Sequence, residues 1–235
     1  MIKNSPTAMW DFDGTLVKPT SWRGAMMDVL AEFEPGHTIN SEQLRPFLKD
    51  GFPWNRPQES HQQLSTPEFW WINLEPLFVR TFQGVGFSFV RAKFLAHHVR
   101  KYMVNPNRYV LYDDTLPVLT ELKEKGWRNV ILSNNMPELP NIAEALGLNR
   151  FIDYCFVSAT TGYEKPNPEA FNIALSALSN PERIWMVGDD LIPDVSGAES
   201  LGIPAILVHN TQSFNTKYQA STLLDALKII NSTTY

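Results

Sequence analysis

Two aspartates separated by one residue, Asp11 and Asp13, are the residues of this chain best suited to chemistry. The apolar residues 8–10 before them predict a short buried strand, and Gly14 allows the sharp turn with which a strand ends. In an extended segment the side chains at positions i and i+2 point to the same side. One carboxylate could therefore attack a bound substrate while the other handles protons, although Asp and Gly are also common in ordinary turns.

A second polar group follows the predicted strand at residues 129–132. Ser133, Asn134 and Asn135 come directly after this strand. A hydroxyl, side-chain amides and free backbone N–H groups at a strand end can bind phosphate oxygens without a net charge. Ser and Asn are also frequent loop residues, so ordinary loop chemistry is the alternative for this segment.

Three acids within six residues, Asp189, Asp190 and Asp194, follow the predicted strand at residues 184–187. Like charges this close repel one another unless a cation or hydrogen bonds offset them. Mg²⁺ takes oxygen ligands and is usually held by one or two carboxylates together with substrate phosphate. The structural alternative is that Asp190 and Asp194 only cap the helix that follows.

A positive charge is supplied by Lys165, which lies where a helix is predicted to begin. The prolines at positions 166 and 168 limit the freedom of this loop. The ammonium group could neutralise a phosphate or hold the Asp11 carboxylate in place, although a lone lysine is most often a solvated surface residue.

The order of predicted elements brings these segments together. Helical spacing of apolar residues predicts an all-helical unit at 21–103, directly after the first strand. Beyond it, strands alternate with helices, which predicts an α/β fold. We expect a Rossmann-like three-layer core with a parallel sheet, formed by residues 1–17 and 107–235, and an inserted all-helical cap domain at 18–106. Ligands of such sheets bind beyond the carboxyl ends of the strands, where the polar segments fall.

Composition narrows the function classes. The 235 residues are 43% hydrophobic and 19% charged, as in an ordinary globular protein. The formal net charge of -5 gives no electrostatic footprint for nucleic acid or an anionic membrane. Cys155 is the single cysteine, so no internal disulfide can form, and we expect a buried, inert thiol. No apolar run has the length of a signal peptide or membrane span, which makes a cytoplasmic location the default expectation.

Taken together, these segments resemble the haloacid dehalogenase-like (HAD) hydrolases over nearly the whole chain. The four motifs of that family are matched, in chain order, by residues 11–16, 133–134, 165–166 and 188–194. The first and fourth motifs are specific to the family. The second and third are short, and they support the resemblance mainly because they lie at the expected positions in the chain. The helical insertion resembles the cap of the subgroup in which the cap lies between the first and second motifs.

The resemblance implies a role for each motif residue. Asp11 would be the nucleophile that forms a phospho-aspartyl intermediate, and Asp13 would protonate the leaving group and then activate water. Lys165 would be the third catalytic residue, with its positive charge on the transferring phosphate oxygens. The cofactor would be Mg²⁺, held by Asp11, the Asp13 main-chain carbonyl, Asp189 and Asp194, with Asp190 as further support. The phosphate would be bound by four residues: Thr15, which would also order the first loop, Ser133, Asn134 and Lys165.

The resemblance therefore predicts a Mg²⁺-dependent phosphatase of a small phosphorylated metabolite, acting as a monomer or homodimer. Dehalogenation is disfavoured because a halide leaves without a proton and gains nothing from Asp13. A phosphoglucomutase-like phosphoryl-transfer isomerase and a non-catalytic HAD-fold binding protein remain alternatives. In the inserted helices, Trp22 and Trp70 are expected in the core, while Trp54 and Arg56 are the candidates for contact with substrate.

Overall fold

The structure is a computed structural model, and it describes residues 5–210, 212 and 214–233. Its described strands form one sheet. They are β1 (Thr7–Trp10), β2 (Arg128–Ser133), β3 (Ile152–Val157), β4 (Ile184–Gly188), β5 (Ala205–Val208) and β6 (Gln219–Ala220). All pairings are parallel, in the order β3-β2-β1-β4-β5-β6. The α/β prediction is confirmed, and β6 is an edge strand that the sequence analysis did not predict.

Within the described ranges, five α-helices lie between β1 and β2, and five more follow β2. The first five are α1 (Trp22–Phe33), α2 (Ser41–Leu44), α3 (Pro67–Gly84), α4 (Phe89–Met103) and α5 (Thr115–Glu124). The others are α6 (Leu139–Ala145), α7 (Ser158–Thr161), α8 (Pro168–Ala177), α9 (Gly197–Glu199) and α10 (Leu223–Ser232). Short 3-10 helices lie at Arg45–Leu48, Pro53–Asn55, Gln62–Leu64, Pro106–Arg108 and Leu148–Arg150, and a π-helical turn at Leu191–Ser196 leads into α9.

From the sequence, Thr66 followed by Pro67 predicts a helix start, and Ser41 is the candidate cap of the helix before it. The Thr66 hydroxyl accepts a hydrogen bond from the Phe69 N–H, and Pro67 occupies the first position of α3. Helix α2 is capped by Asn40 rather than by Ser41, because the Asn40 side chain accepts from two backbone N–H groups. Pro46 then lies in the 3-10 helix that follows, which ends the α-helical geometry.

Helical spacing predicts Val90 and Phe94 among the apolar positions of α4, but the structure leaves both of them exposed. Val90 is 79% exposed and Phe94 is 40% exposed. The buried face instead contains Ala92, Leu95, Ala96, Val99 and Met103. Small side chains on this face let α4 lie close to its neighbours, and Phe94 rests at the edge, 5.2 Å from the ring of Phe33.

The sheet is covered on both faces, as a three-layer architecture requires. Along β1, Ala8 and Trp10 belong to one buried hydrophobic cluster, and Met9 belongs to the other. The first cluster continues without a break into the inserted helices, for example at Met26 and Trp70. The domain boundaries at 17/18 and 106/107 therefore stay a prediction.

Two further expectations concern membrane-spanning helices and the single cysteine. Across the described ranges, no helix combines the length and the apolar character that crossing a membrane requires. Cys155 is half-buried in β3, and burial raises the pKa of its thiol to about 12. A thiol that stays protonated at neutral pH is a poor nucleophile, which agrees with the expected inert side chain.

Candidate active site

A cavity of about 470 Å³ opens at the carboxyl ends of β1, β2 and β4. Its lining brings together Asp11, Asp13, Trp54, Pro57, Ser133, Asn134, Lys165, Pro166, Asp189, Asp190, Ile192, Pro193 and Asp194. The four polar segments thus meet in one place, as expected for ligands of a parallel sheet. Trp54 and Pro57 come from the inserted segment, so both parts of the chain contribute walls.

Lys165 links two of the carboxylates. Its Nζ donates hydrogen bonds to Asp11 Oδ1 at 2.8 Å and to Asp194 Oδ1 at 2.5 Å, and the residue is only 2% exposed. Burial by itself lowers the pKa of the ammonium, but the charges on Asp11 and Asp194 outweigh burial and raise it. The ammonium therefore stays charged and orients the Asp11 carboxylate.

Asp11, Asp189 and Asp194 each offer a carboxylate oxygen, and these oxygens all lie within 4.8 Å of one another. Burial, followed by the charges on Asp11 and Asp194, raises the pKa of Asp189 to about 7. Burial also raises the pKa of Asp194, to about 6, although Lys165 opposes this. Such crowding of acids is relieved by a cation, and hard oxygen donors are the ligands that Mg²⁺ takes. The donor set therefore fits a magnesium ion.

Two glycines allow this crowding. A Cβ at Gly14 would lie under 3.0 Å from three atoms of the Asp189 carboxylate, and a Cβ at Gly188 would meet the Asp194 side chain equally closely. Gly14 also has φ +81°, a conformation that L-residues with a side chain rarely adopt. The backbone approaches the carboxylates closely because these two positions lack a side chain.

Asp13 lies apart from the three clustered carboxylates. Its Oδ1 accepts hydrogen bonds from the Thr20 hydroxyl at 2.7 Å and the Thr20 N–H at 3.3 Å. Its Oδ2 accepts from Asn135 Nδ2 at 2.9 Å. Burial raises the pKa of Asp13, although these hydrogen bonds oppose the shift. A carboxyl group with a raised pKa, held in a fixed orientation, suits proton transfer.

The predicted phosphate-binding residues take different positions. Ser133 is buried and lines the cavity. The Asn134 side chain makes two hydrogen bonds to the backbone of Lys165. Its Nδ2 donates to the Lys165 carbonyl at 2.8 Å, and its Oδ1 accepts from the Lys165 N–H at 2.7 Å. Thr15 is fully buried, and its hydroxyl donates to Asp189 Oδ1 at 3.3 Å. Thr15 therefore positions Asp189 and is not among the residues that line the cavity, so its role in phosphate binding stays a prediction.

Asp190 and Asp194, which belong to the same motif, differ in exposure and in hydrogen-bond partners. Asp190 is exposed, and its Oδ1 accepts from the Ile192 N–H at 3.1 Å, which caps the π-helical turn. Asp194 is buried, and its Oδ2 accepts from the Asp190 N–H at 3.0 Å. The capping alternative thus describes Asp190, whereas Asp194 takes part in the carboxylate and lysine cluster.

Of the two candidates in the inserted segment, only Trp54 lines the cavity. Its ring stacks on Phe52 at 4.5 Å between centroids. Arg56 is exposed and lines a neighbouring cavity with Glu59 and His61, so the structure does not bring it to the carboxylates. Trp70 is buried as expected, and Trp22 is half-buried against the same core.

Sequence reasoning did not assign a role to Thr20, Pro57 or Ile192. It included Asn135 in the polar segment after β2 but did not foresee its hydrogen bond to Asp13. Thr20 lies between β1 and α1, and nothing in its local sequence points to Asp13. Pro57 and Ile192 were not detectable, because lining a cavity leaves no local pattern.

A family profile described as haloacid dehalogenase-like hydrolase matches residues 6–202. The chain belongs to this family of hydrolases. The fold agrees with solved structures: a magnesium-bound HAD hydrolase from Bacillus subtilis has a TM-score of 0.74 at 19% identity, covering 97% of this chain and 100% of that one. A 2-haloacid dehalogenase from Pseudomonas syringae has a TM-score of 0.66 at 18% identity, covering 97% and 98%.

Among curated relatives, the human haloacid dehalogenase-like hydrolase domain-containing protein 3 is 28% identical over 88% of this chain and 82% of its own length. The glyceraldehyde 3-phosphate phosphatase of Methanothermobacter thermautotrophicus is 33% identical over 48% of this chain. That match spans 49% of the relative's length. A phosphoserine phosphatase from Thermus thermophilus is 32% identical over 57% of this chain and 53% of its own.

Proposed function

We propose that this chain is a Mg²⁺-dependent phosphomonoester hydrolase that acts on a small phosphorylated metabolite. The main supporting observation is the 2.8 Å hydrogen bond from the Lys165 ammonium to Asp11, in a cavity that also contains Asp13. The pairing provides an oriented carboxylate nucleophile, a fixed positive charge and a proton-transfer group, which phosphoryl transfer requires. Relatives named as phosphatases support the same reaction class.

In the proposed first step, an Asp11 carboxylate oxygen attacks phosphorus and the ester P–O bond breaks. Asp13 donates its proton to the departing alkoxide. In the second step Asp13 takes a proton from water, which attacks the phospho-aspartate and releases phosphate. Lys165, the Ser133 hydroxyl and the Asn134 backbone N–H bind the transferring oxygens throughout.

The carboxylates of Asp11, Asp189 and Asp194 would hold Mg²⁺, together with the main-chain carbonyl of Asp13. When bound, the ion would supply positive charge that offsets the repulsion between an anionic nucleophile and an anionic phosphate, a repulsion of several kcal/mol at a few ångströms. Thr15 keeps Asp189 in place through its hydroxyl. We expect Asp190 to support the ion only indirectly, without binding it through its own carboxylate.

The direct test is release of phosphate from 4-nitrophenyl phosphate in the presence of Mg²⁺. Asp11→Asn should abolish turnover, because the amide cannot form the phospho-aspartate. Glu124→Gln removes an exposed acid at the end of α5, near the start of β2 and away from the cavity, and should leave the rate unchanged. Ordinary activity in folded Asp11→Asn protein would contradict the proposal. A phosphoryl-transfer isomerase would release little phosphate, and a non-catalytic binding protein would release none.

Metal dependence is tested separately. Dialysis against EDTA should abolish activity, and Mg²⁺ should restore it. Because the ion would neutralise the crowded acids, Mg²⁺ should also raise the melting temperature of the wild type. Asp189→Asn should weaken this thermal response, whereas Glu124→Gln should not. Full activity after chelation would contradict the metal requirement.

A further inference from the structure

The lining of the cavity combines charged and apolar side chains. Besides the carboxylates and Lys165 it contains five apolar residues, called here the apolar wall: Trp54, Pro57, Pro166, Ile192 and Pro193. Two of them, Trp54 and Pro57, come from the inserted segment. Because the reacting phosphate must lie against Asp11 and Lys165, the alcohol part of the substrate is left to contact the apolar wall.

The described lining contains a single basic side chain. Among the described residues that line the cavity, Lys165 is the one basic side chain, and it is already paired with Asp11 and Asp194. Asp190, which is exposed, adds a negative charge to the same lining, two residues before Ile192. A substrate with a second anionic group would therefore lose hydration there without gaining an ionic partner.

The segment that carries Trp54 and Pro57 is docked on the core. Asn167 Nδ2 donates to the Pro57 carbonyl at 2.9 Å, and the His61 N–H donates to the Gly162 carbonyl at 2.7 Å. A Cβ at Gly162 would lie 2.6 Å from Gln62 Cα, so the two backbones are in close contact. Trp54 is further supported by the stacked ring of Phe52. The apolar wall is thus a built part of the site.

We propose that the substrate is a phosphate monoester whose alcohol is uncharged and presents an apolar or aromatic face to Trp54 and Ile192. Esters whose alcohol carries a carboxylate or a second phosphate are disfavoured. This inference rests on the proposed phosphatase function and specifies the substrate class of the same site.

Matched esters test the inference with the wild-type, Mg²⁺-loaded protein. Phenyl phosphate is compared with 4-carboxyphenyl phosphate, and glyceraldehyde 3-phosphate with 3-phosphoglycerate. Each pair differs mainly by one carboxylate. The uncharged member of each pair should have the higher kcat/KM by about tenfold or more, because the carboxylate is desolvated near Asp190 without a cation.

A variant that supplies the missing cation sharpens the test. Ile192 is 62% exposed, so the fold tolerates Ile192→Arg. The guanidinium would pair with the substrate carboxylate or neutralise Asp190. Either effect should lower the ratio of kcat/KM between the uncharged ester and its carboxylate-bearing partner by about tenfold. Ile192→Gln is the matched control, since it changes shape and polarity without adding charge, and it should leave the ratio within about threefold.

The outcomes are distinguishable. Equal or better turnover of the carboxylate-bearing esters by the wild type would overturn this inference alone. If the Arg56→Gln variant then lost this turnover of carboxylate-bearing esters, their binding would be assigned to Arg56 in the neighbouring cavity. No turnover of any ester, including 4-nitrophenyl phosphate, by folded Mg²⁺-loaded protein would overturn the proposed function and this inference with it.

Discussion

Gly14 lies directly against the carboxylate of Asp189, so closely that a Cβ at residue 14 would lie under 3.0 Å from three of its atoms. The turn after β1 is thereby packed directly against the side chain that follows β4. This contact places Asp189 beside Asp11, and it makes Gly14 a positional requirement of the carboxylate cluster.

We therefore expect Gly14→Ala to lower both stability and activity. The variant adds a steric clash to the cost of a positive φ, which is about 1–2 kcal/mol for a residue with a side chain. Gly126→Ala is the matched control, because Gly126 has φ +80° but nothing within 4 Å of its Cβ position. Urea unfolding should show a clearly larger loss for Gly14→Ala. Equal losses would mean that the clash with Asp189 is absent.

Asp13→Asn should separate the two proposed chemical steps. The 4-nitrophenolate ion leaves without a proton, so the first step should still occur, whereas activation of water should fail. Rapid mixing should show a burst of about one nitrophenolate per active site, followed by a rate reduced about 10²-fold or more. Intact-mass measurement should detect the phosphorylated protein. Asp11→Asn should give no burst, and a burst in that control would contradict the assignment of the nucleophile.

Glu138 should hold the inserted helices over the core. It accepts hydrogen bonds from Trp71 Nε1 of α3 at 3.0 Å and from Arg100 Nη2 of α4 at 2.6 Å, and it immediately precedes α6. Loss of these contacts lowers the population of the substrate-competent arrangement. Glu138→Ala should therefore raise KM about fivefold with little change in kcat.

The control for Glu138→Ala is Lys101→Ala, because the ion pair from Lys101 to Glu32 joins only α4 and α1 within the inserted segment. This variant should leave KM unchanged in steady-state assays. A similar rise of KM in both variants would indicate general destabilisation of the inserted helices rather than a contact between them and the core.

Glu164 should make stability depend on pH. It is almost completely buried, and burial raises the pKa of its carboxyl to about 7, although a hydrogen bond from Ser158 and the charge on Lys165 oppose the shift. Between the usual Glu pKa and pH 7 the unfolded chain loses this proton while the folded protein keeps it. The free energy of unfolding therefore falls as pH rises through that window, by up to about 3 kcal/mol.

Glu164→Gln removes this titration. Urea unfolding of the wild type and the variant at pH 5 and pH 8 should show that the variant loses less stability between the two values. An identical pH dependence would mean that Glu164 ionises in the folded protein as it does in water. Asp225→Asn, at an exposed ion pair of α10, is the matched control and should leave this part of the profile unchanged.

Much of the site could be predicted from local sequence. Asp11, Ser133 and Asp189 each directly follow a run of apolar residues, and parallel strands present their carboxyl ends at one edge of the sheet. The partners of these residues could not be predicted in the same way. The bonds from Thr20 and Asn135 to Asp13 depend on how a turn and a strand end pack, and local spacing does not record packing.

The sequence by itself determined the alternation of strands and helices, the order of the four polar segments and the residue types needed for phosphoryl transfer, because hydrophobic periodicity and strand-end chemistry are local properties. Only the tertiary structure decided that Thr15 turns to Asp189, that Asp190 caps a helical turn while Asp194 binds Lys165, and that Arg56 lies outside the cavity. These outcomes depend on which buried groups share space and which charges must be paired, and both are properties of the packed molecule.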